Sequence, residues 1–133
     1  MQEIEFPQSV TEKVKFILNA EVEEQGVQVL VKKQRKMEIS AYNQFFNCTI
    51  EHDISFEDIG KSGVAFNKAE IFLLPEEYPA FFFTLSEHDI PFPPQYRQWC
   101  QSNPHIISVC LESVEPPEHF AERLADALQI FDI

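Results

Sequence analysis

The sequence predicts an α+β fold, with antiparallel strands in its first half and a ferredoxin-like split β-α-β-β-α arrangement in its second half. Apolar and polar residues alternate through much of residues 10–50, which is typical of half-buried strands. Two later segments carry apolar residues at the spacing of a helix face, and proline stands at the start of each. The chain has 133 residues, of which 44% are hydrophobic, so a real core is expected. We therefore predict a single domain over residues 1–133, in which residues 64–133 form the ferredoxin-like part.

The N-terminal region is predicted to contribute additional antiparallel strands. The segments assigned to strands are Val14–Val22, Val27–Val31, Met37–Tyr42 and Phe45–Ile50. A turn is expected around Gly26. The basic run Lys32–Lys36 is interpreted as the solvated tip of a hairpin, with an anion contact as its functional alternative. The polar stretch Asp53–Ser62 carries turn residues and is assigned to a loop.

The second half is predicted to begin with a strand and a helix. Ala69–Leu74 is a short apolar run, and Pro75 follows it at a position where proline often opens a helix. Glu76 and Glu77 then suit the first turn, because the helix dipole favours acidic residues there. One face of this helix collects Tyr78, Phe81, Phe82 and Leu85. We expect the helix to end by Asp89–Pro91.

Two strands and a final helix are predicted to complete the fold. Phe92–Gln101 is assigned to an edge strand, since its prolines cannot donate to a ladder, and Ser102–Pro104 to a turn. Ile106–Leu111 is apolar on both faces, which is typical of a central strand. The last helix begins at Pro116, and its apolar face comprises Phe120, Leu124, Ala127, Leu128 and Phe131. The crossover rule then predicts that Ala69–Leu74 and Ile106–Leu111 are parallel neighbours, with both helices on one face of the sheet.

These elements resemble a known family, the LppY/LpqO-type domain, over roughly residues 64–128. The resemblance lies in Val64-Ala65-Phe66, Ala69–Leu74, Leu85…Ile90, Pro104…Leu111 and Leu124–Leu128. The family carries a His-x-His pair on one strand and a third His on another, and the matching positions here are Tyr96, Gln98 and Cys110. Three imidazoles there would converge on a metal or an anion, whereas Tyr, Gln and Cys make a poor site for divalent metals. The resemblance therefore implies that this chain lost that chemistry or never had it.

The charge of the chain bears on its partners. The net charge is −12. Up to Ser40 there are six basic and seven acidic side chains, or −1, whereas from Ala41 onward there are four basic and fifteen acidic ones, or −11. Such a surface repels phosphate backbones, so nucleic-acid binding is disfavoured and a basic protein partner is attracted. Because no apolar run approaches the ~18 residues of a membrane span, and Met1–Phe6 does not resemble a signal peptide, we expect no membrane association and a cytoplasmic location.

The motifs of common enzyme classes are not found in the sequence. The cysteines form no CxxC pair, and the histidines form no HxH, HxxxH or HExxH ligand pair. No Gly-rich phosphate loop, GxSxG or Walker motif is present. We therefore expect no metal, no cofactor and no catalytic residue, although an enzyme descended from the histidine-bearing pattern stays an alternative.

The best binding candidate is a short aromatic and polar group. Tyr96, Arg97, Gln98 and Trp99 combine the residue types that are enriched at interface hot spots, and Cys110 is included through the family resemblance. Alternation places Arg97 and Trp99 on one face of the strand and Tyr96 and Gln98 on the other. One of these two pairs must therefore face away from the helices. The alternative is that Trp99 packs under a helix. We predict a non-enzymatic protein-binding or regulatory domain, which meets another protein or its own copy through a sheet edge or an open sheet face. The alternative within this class is an acidic immunity or inhibitor protein for a basic toxin or nuclease.

Overall fold

A computed structural model of the chain describes residues 6–58, 63–102 and 105–132. Within these residues the fold is one antiparallel sheet with three α-helices. The helices are α1 (Phe6–Leu18), α2 (Tyr78–Ser86) and α3 (Pro117–Leu128). The strands are β1 (Glu21–Gln25), β2 (Gln28–Ala41), β3 (Gln44–Asp58), β4 (Ala65–Leu73), β5 (Tyr96–Ser102) and β6 (Ile107–Glu115). Single 3₁₀ turns precede α2 at Pro75–Glu77 and follow α3 at Gln129–Asp132.

The strands lie in the order β1-β2-β3-β4-β6-β5, and every neighbouring pair is antiparallel. The predicted α+β class is therefore confirmed, and the N-terminal strands extend the same sheet. β4 and β6 are neighbours, as predicted, but the prediction that they run parallel is wrong. The chain crosses over through α2 to β5, which runs parallel to β4, and the following hairpin reverses it, so β6 lies between them in the opposite direction.

All three helices pack on one face of the sheet, called here the helix side. Phe81 of α2 and Phe120 of α3 belong to the same buried cluster, so the two C-terminal helices share a face, as predicted. Val14 and Leu18 of α1 join that cluster. The sheet contributes every second residue of its strands, because adjacent side chains on a strand point to opposite faces. These residues include Val31, Ile54, Phe56, Ala69, Ile71, Leu73, Val109 and Leu111.

The N-terminal helix α1 replaces the strand that was predicted over Val14–Val22. Only the last residues of that range are extended, in β1. Val14 and Leu18 are buried one helical turn apart, whereas Phe16 between them is 85% exposed. A strand would have placed all three on one face. α1 is followed by Asn19 at φ 52°, the left-handed conformation that commonly ends a helix.

β2 and β3 form a hairpin longer than the sequence predicts. The basic run Lys32–Lys36 lies in the middle of β2 and not at a tip, and the predicted loop at Asp53–Ser62 is strand as far as Asp58. Of that range, residues 59–62 lie outside the described chain. Lys32 pairs with Asp53, the first residue of β3 that pairs with β4, so residues 33–52 lie outside the β3–β4 pairing and are called here the arm. The arm ends in a two-residue turn with both central φ angles positive, as in a type I′ turn.

The basic run is divided between the two faces of β2. On the helix side, the Lys33 ammonium donates to the carbonyls of Leu18, at 3.0 Å, and Asn19, at 3.3 Å. Cations suit a helix C-terminus because its last carbonyls have no intrahelical partner. Two residues on, the Arg35 guanidinium donates to both carboxylate oxygens of Glu77 at 2.8 Å. The anion contact that was the alternative for the basic run is therefore intramolecular, because the Glu77 carboxylate belongs to the chain itself.

A buried ion pair joins α3 to the sheet. Arg123 and Glu115 are 1% and 5% exposed, and their guanidinium and carboxylate groups bond through two nitrogen–oxygen pairs. Arg123 also donates to the Pro91 carbonyl at 3.3 Å. Ser113 Oγ donates to the Glu115 carboxylate at 2.6 Å, and Asn67 Nδ2 donates to the Glu115 carbonyl at 3.1 Å. α3, β6, β4 and the connector before β5 therefore meet in one polar network.

We predict that replacing Arg123 alone with Met lowers the free energy of unfolding by about 3–5 kcal/mol, because Glu115 is left buried without its counter-charge. The double variant Arg123→Met with Glu115→Leu should recover most of that loss, since no buried charge remains. Urea-induced unfolding of both variants, followed by circular dichroism, measures the two values. A double variant as unstable as the single one would contradict this account.

Candidate functional site

The sheet face opposite the helices, called here the open face, is built from cross-strand rows. No helix of the described residues packs on it. One row, taken from β2 to β5, contains Leu30, Ser55, Lys68, Glu112 and Arg97. The next row contains Lys32, Asp53, Glu70, Cys110 and Trp99. These rows border a groove of about 460 Å³, called here the open-face groove, with an apolar component from Leu30 and Trp99 and charges of both signs.

Trp99 stands at the outer end of this groove. It pairs with Cys110 on the open face, so it does not pack under a helix, and 37% of its surface is exposed. The Arg97 guanidinium carbon lies 5.1 Å from the centre of the Trp99 ring, within range of a cation–π contact. Arg97 Nε also lies 3.8 Å from a Glu112 carboxylate oxygen. The predicted pair Arg97 and Trp99 is therefore together and outward-facing.

The other two residues of the predicted group face the helices. Tyr96 and Gln98 pair with Ser113 and Leu111, which are buried on the helix side. The Tyr96 hydroxyl donates to Gln98 Oε1 at 2.7 Å, and Gln98 Nε2 donates to the Tyr78 hydroxyl of α2 at 3.3 Å. These bonds fasten β5 to α2. Tyr96 and Gln98 are thus structural, and the sheet separates them from the open face.

Cys110 is not brought together with Tyr96 and Gln98, because it lies on the open face. Burial raises the pKa of the Cys110 thiol, and the nearby Glu70 carboxylate raises it further. A raised pKa keeps the sulfur protonated near neutral pH, and a thiol is a weak nucleophile compared with a thiolate. Glu70 itself accepts a hydrogen bond from Ser108 Oγ at 2.7 Å. The three positions that match the family's histidines therefore do not form one site.

The described residues also lack a metal-ligand cluster and a membrane-spanning helix. Among residues 6–58, 63–102 and 105–132, no three His, Cys, Asp or Glu side chains are grouped as a metal site requires. In that same part of the chain, no helix has the length and apolar content needed to cross a bilayer.

The strand that carries Trp99 lies at an edge of the sheet, as the sequence predicts. The N–H of Val114 donates to the Gln95 carbonyl at 3.0 Å. Because hydrogen-bonded and non-bonded positions alternate along an antiparallel pair, the backbone groups of Tyr96, Gln98 and Cys100 point away from β6. No other strand of the described chain pairs with β5. This row of N–H and C=O groups is therefore available to a further strand.

The opposite edge of the sheet differs in charge. β1 carries Glu21, Glu23 and Glu24, all exposed, and β5 carries no acidic residue. Charged side chains along an edge discourage pairing with another chain. The β1 edge is therefore protected by three charged side chains, whereas the β5 edge carries one, Arg97.

The arm is fastened to the body through a second polar cluster, which is half-buried. Arg35 binds Glu77, which also accepts the Leu74 N–H at 2.9 Å, and the Arg35 guanidinium lies 3.9 Å from the centre of the Phe131 ring. Burial alone would raise the pKa of the Glu77 carboxyl, but the hydrogen bonds from Arg35 and Leu74 outweigh it, so that pKa is lowered. His52 lies next to this pair, between the rings of Phe72 and Phe131.

His52 is a buried histidine whose pKa is shifted. It is 1% exposed, and its Nδ1 accepts the Phe72 N–H at 3.1 Å. Burial lowers the pKa of His52 to about 4, and the positive charges of Arg35 and Lys33 contribute to the change. The imidazole is therefore neutral at physiological pH, and it acts as a packed acceptor and not as a general acid.

Comparison of the chain with protein-family models, with curated proteins and with solved structures finds no match. The assignment of a site therefore rests on geometry.

Trp99, at the outer end of the open-face groove, is among the residues singled out from the sequence, whereas the residues that form the floor of the groove are not. Leu30, Lys68 and Glu70 face the groove from β2 and β4. These three residues occupy polar or mixed positions in the alternating pattern of their strands. Such positions indicate a shared surface only when the order of the strands is known. Phe82, which the sequence places on the apolar face of α2, is 39% exposed, and Phe83, which was assigned to no face, is 66% exposed.

We predict a pH dependence of stability that arises from His52. Its pKa is near 6.5 in the unfolded chain and about 4 in the folded one, so only the unfolded state takes up a proton between those values. The stability is complete above pH 6.5 and is lost as the pH falls towards 4, by about 3 kcal/mol in all. The variant His52→Asn keeps an acceptor for the Phe72 N–H and should lack this component of the loss. Chemical unfolding at a series of pH values measures it.

The control is His119→Asn, which removes an exposed imidazole. Carboxylates also titrate in this pH range. The quantity to compare is therefore the difference in unfolding free energy between each variant and the parent at each pH. If His52→Asn and the parent lose stability in parallel from pH 6.5 to 4, the assignment to His52 is wrong.

Proposed function

We propose that this chain is a non-enzymatic protein-binding domain, whose contact surface consists of the β5 edge and the outer end of the open-face groove. The observation that carries the proposal is Trp99, a large aromatic side chain that faces away from the core on an edge strand, whose outer side has no partner among the described strands. Trp and Arg are enriched among residues that contribute most to binding energy. Arg97 lies against Trp99 and supplies the second of these residue types.

The geometry supports binding more than catalysis. The groove is open, and Glu112 in its lining lies 3.8 Å from Arg97 Nε outside it. Its only thiol, Cys110, has a raised pKa. A sheet edge beside an aromatic anchor, by contrast, is the arrangement used in strand addition, where backbone bonds give affinity and side-chain contacts give specificity.

The proposal includes the ferredoxin-like interpretation of residues 64–133. Its support is that β6 lies between β4 and β5, with α2 and α3 on one face. This split arrangement leaves β5 outermost, and it explains why the contact surface is a strand edge.

A second candidate is an acidic inhibitor or immunity protein that neutralises a basic protein. The observation that favours it is the exposed β1 edge with Glu21, Glu23 and Glu24. A basic partner would be attracted to that side of the sheet. The two candidates therefore place the partner at opposite edges, and the position of contact distinguishes them.

We predict that Trp99→Ala weakens partner binding by roughly thirtyfold, the effect of about 2 kcal/mol at a hot spot. The unfolding free energy should fall by far less than the ~3–5 kcal/mol that truncating a fully buried aromatic residue costs. Thermal unfolding measures the stability. Binding is measured by photo-crosslinking in cells, with benzoylphenylalanine in place of Gln101, an exposed residue beside Trp99 on β5.

The matched control carries the same photo-reactive residue in place of Phe16, which is 85% exposed on α1. We expect position 101 to give a defined adduct that Trp99→Ala removes, and position 16 to give none. Adducts that form equally from both positions would refute the proposed surface. An adduct obtained only from a β1 position, such as Glu23, would favour the inhibitor candidate.

A further inference from the structure

One continuous part of the sequence is free of carboxylates. The chain holds 22 Asp and Glu residues in 133, yet residues 90–111 contain none. α2, at Tyr78–Ser86, contains no charged residue of either sign. Residues 90–111 are the longest carboxylate-free stretch in this chain of net charge −12.

The two segments adjoin in space. Gln98 of β5 donates to the Tyr78 hydroxyl of α2, and the rings of Tyr78 and Phe82 stack with centres 6.0 Å apart. Phe82 and Phe83 are 39% and 66% exposed. The free backbone edge of β5 therefore continues into an exposed apolar helix surface, called here the β5–α2 surface.

Charge and symmetry indicate what covers this surface. A contact between two identical chains places the same patch of each copy face to face. Two chains of charge −12 repel each other, so such a contact is favoured where both copies lack carboxylates. A basic partner would gain nothing from a patch without acids. The β5–α2 surface is thus suited to a second copy of this chain.

Strand geometry restricts how two copies pair. The backbone groups of the even-numbered residues of β5 point outward, so an antiparallel partner strand must pair even-numbered residues with even-numbered ones. A two-fold axis at Trp99 satisfies this and places the two Trp99 residues at a non-hydrogen-bonded position, where side chains approach most closely. The axis is perpendicular to the sheet, so the two α2 helices lie side by side on the helix side.

We infer that the protein partner of the β5–α2 surface is a second copy of this chain, which adds its β5 antiparallel to the first and packs its α2 against the first α2. The inference rests on the proposed function and names its partner. Both elements are needed, because a specific interface buries about 1,200 Å² or more, which is more than one short strand pair provides. In the dimer the open-face grooves of the two copies meet at the paired Trp99 residues, which close the outer end of each.

The test is sedimentation equilibrium of the full chain over a concentration series, with two matched variants. Phe83→Asp introduces a carboxylate on α2 and should weaken dimerisation by about tenfold or more, because like charges meet across the axis. Phe16→Asp makes the same change at an exposed Phe on α1 and should leave the dimer unchanged. A monomeric parent chain, or a Phe83→Asp variant that dimerises as the parent does, would overturn the inference.

A thiol cross-link reports the strand pairing directly. Cys48→Ser with Cys110→Ala leaves Cys100, an exposed residue of β5, as the single cysteine. With Trp99 on the axis, the two Cys100 residues lie diagonally, roughly 8 Å apart. A short bis-maleimide should therefore convert the dimer to a covalent dimer in high yield. A dimer that resists this cross-linker contradicts pairing through β5.

The outcomes separate the two proposals. If the chain is monomeric but the photo-reactive residue at position 101 captures a different protein, the inference fails and the proposed function stands. If the chain is monomeric and position 101 captures nothing, both fail.

Discussion

Arg123 donates two hydrogen bonds to the Glu115 carboxylate in the interior of the protein. Because both charges are desolvated, the segments that carry and surround them must stay in place. A buried ion pair is not in itself a strong source of stability, but separating it is costly. Arg123 also holds the Pro91 carbonyl and lies 5.1 Å from the centre of the Phe92 ring, which in turn stacks on Tyr96 at 4.0 Å. The connector that leads into β5 is thereby fixed from α3. The position of the outermost strand, and of Trp99 upon it, follows from this interior contact.

The C-terminal half could be predicted largely because prolines mark its boundaries. Pro75 and Pro117 stand where helical segments begin, and both predicted helical faces are buried at their centres, at Phe81 and Phe120. The N-terminal half offers fewer such marks. Val14 and Leu18 fit a helix as well as a strand, and only the exposure of Phe16 decides between them. That exposure is a tertiary fact, so local pattern could not supply it.

The candidate site shows the same division between local and long-range information. The outward direction of Arg97 and Trp99 was one of two alternatives that strand alternation left open, and the pairing of Trp99 with Cys110 decides it. The basic run at Lys32–Lys36 could not be interpreted locally. Lys33 and Arg35 bind groups 14 to 42 residues away in sequence, on α1 and before α2. Their role becomes visible only after the sheet has brought those groups together.

The two edges of the sheet differ in how they are protected from pairing with another chain. Free strand edges expose backbone groups to other chains, and proteins commonly protect them with charge, proline or a covering element. β1 has the charge, in its three glutamates. β5 has prolines only in the connector before it, and its seven residues contain neither proline nor a carboxylate. Such an edge, placed beside the uncharged helix α2, would promote indiscriminate association if it stayed bare. The proposed pairing with a second copy of this chain would remove that hazard.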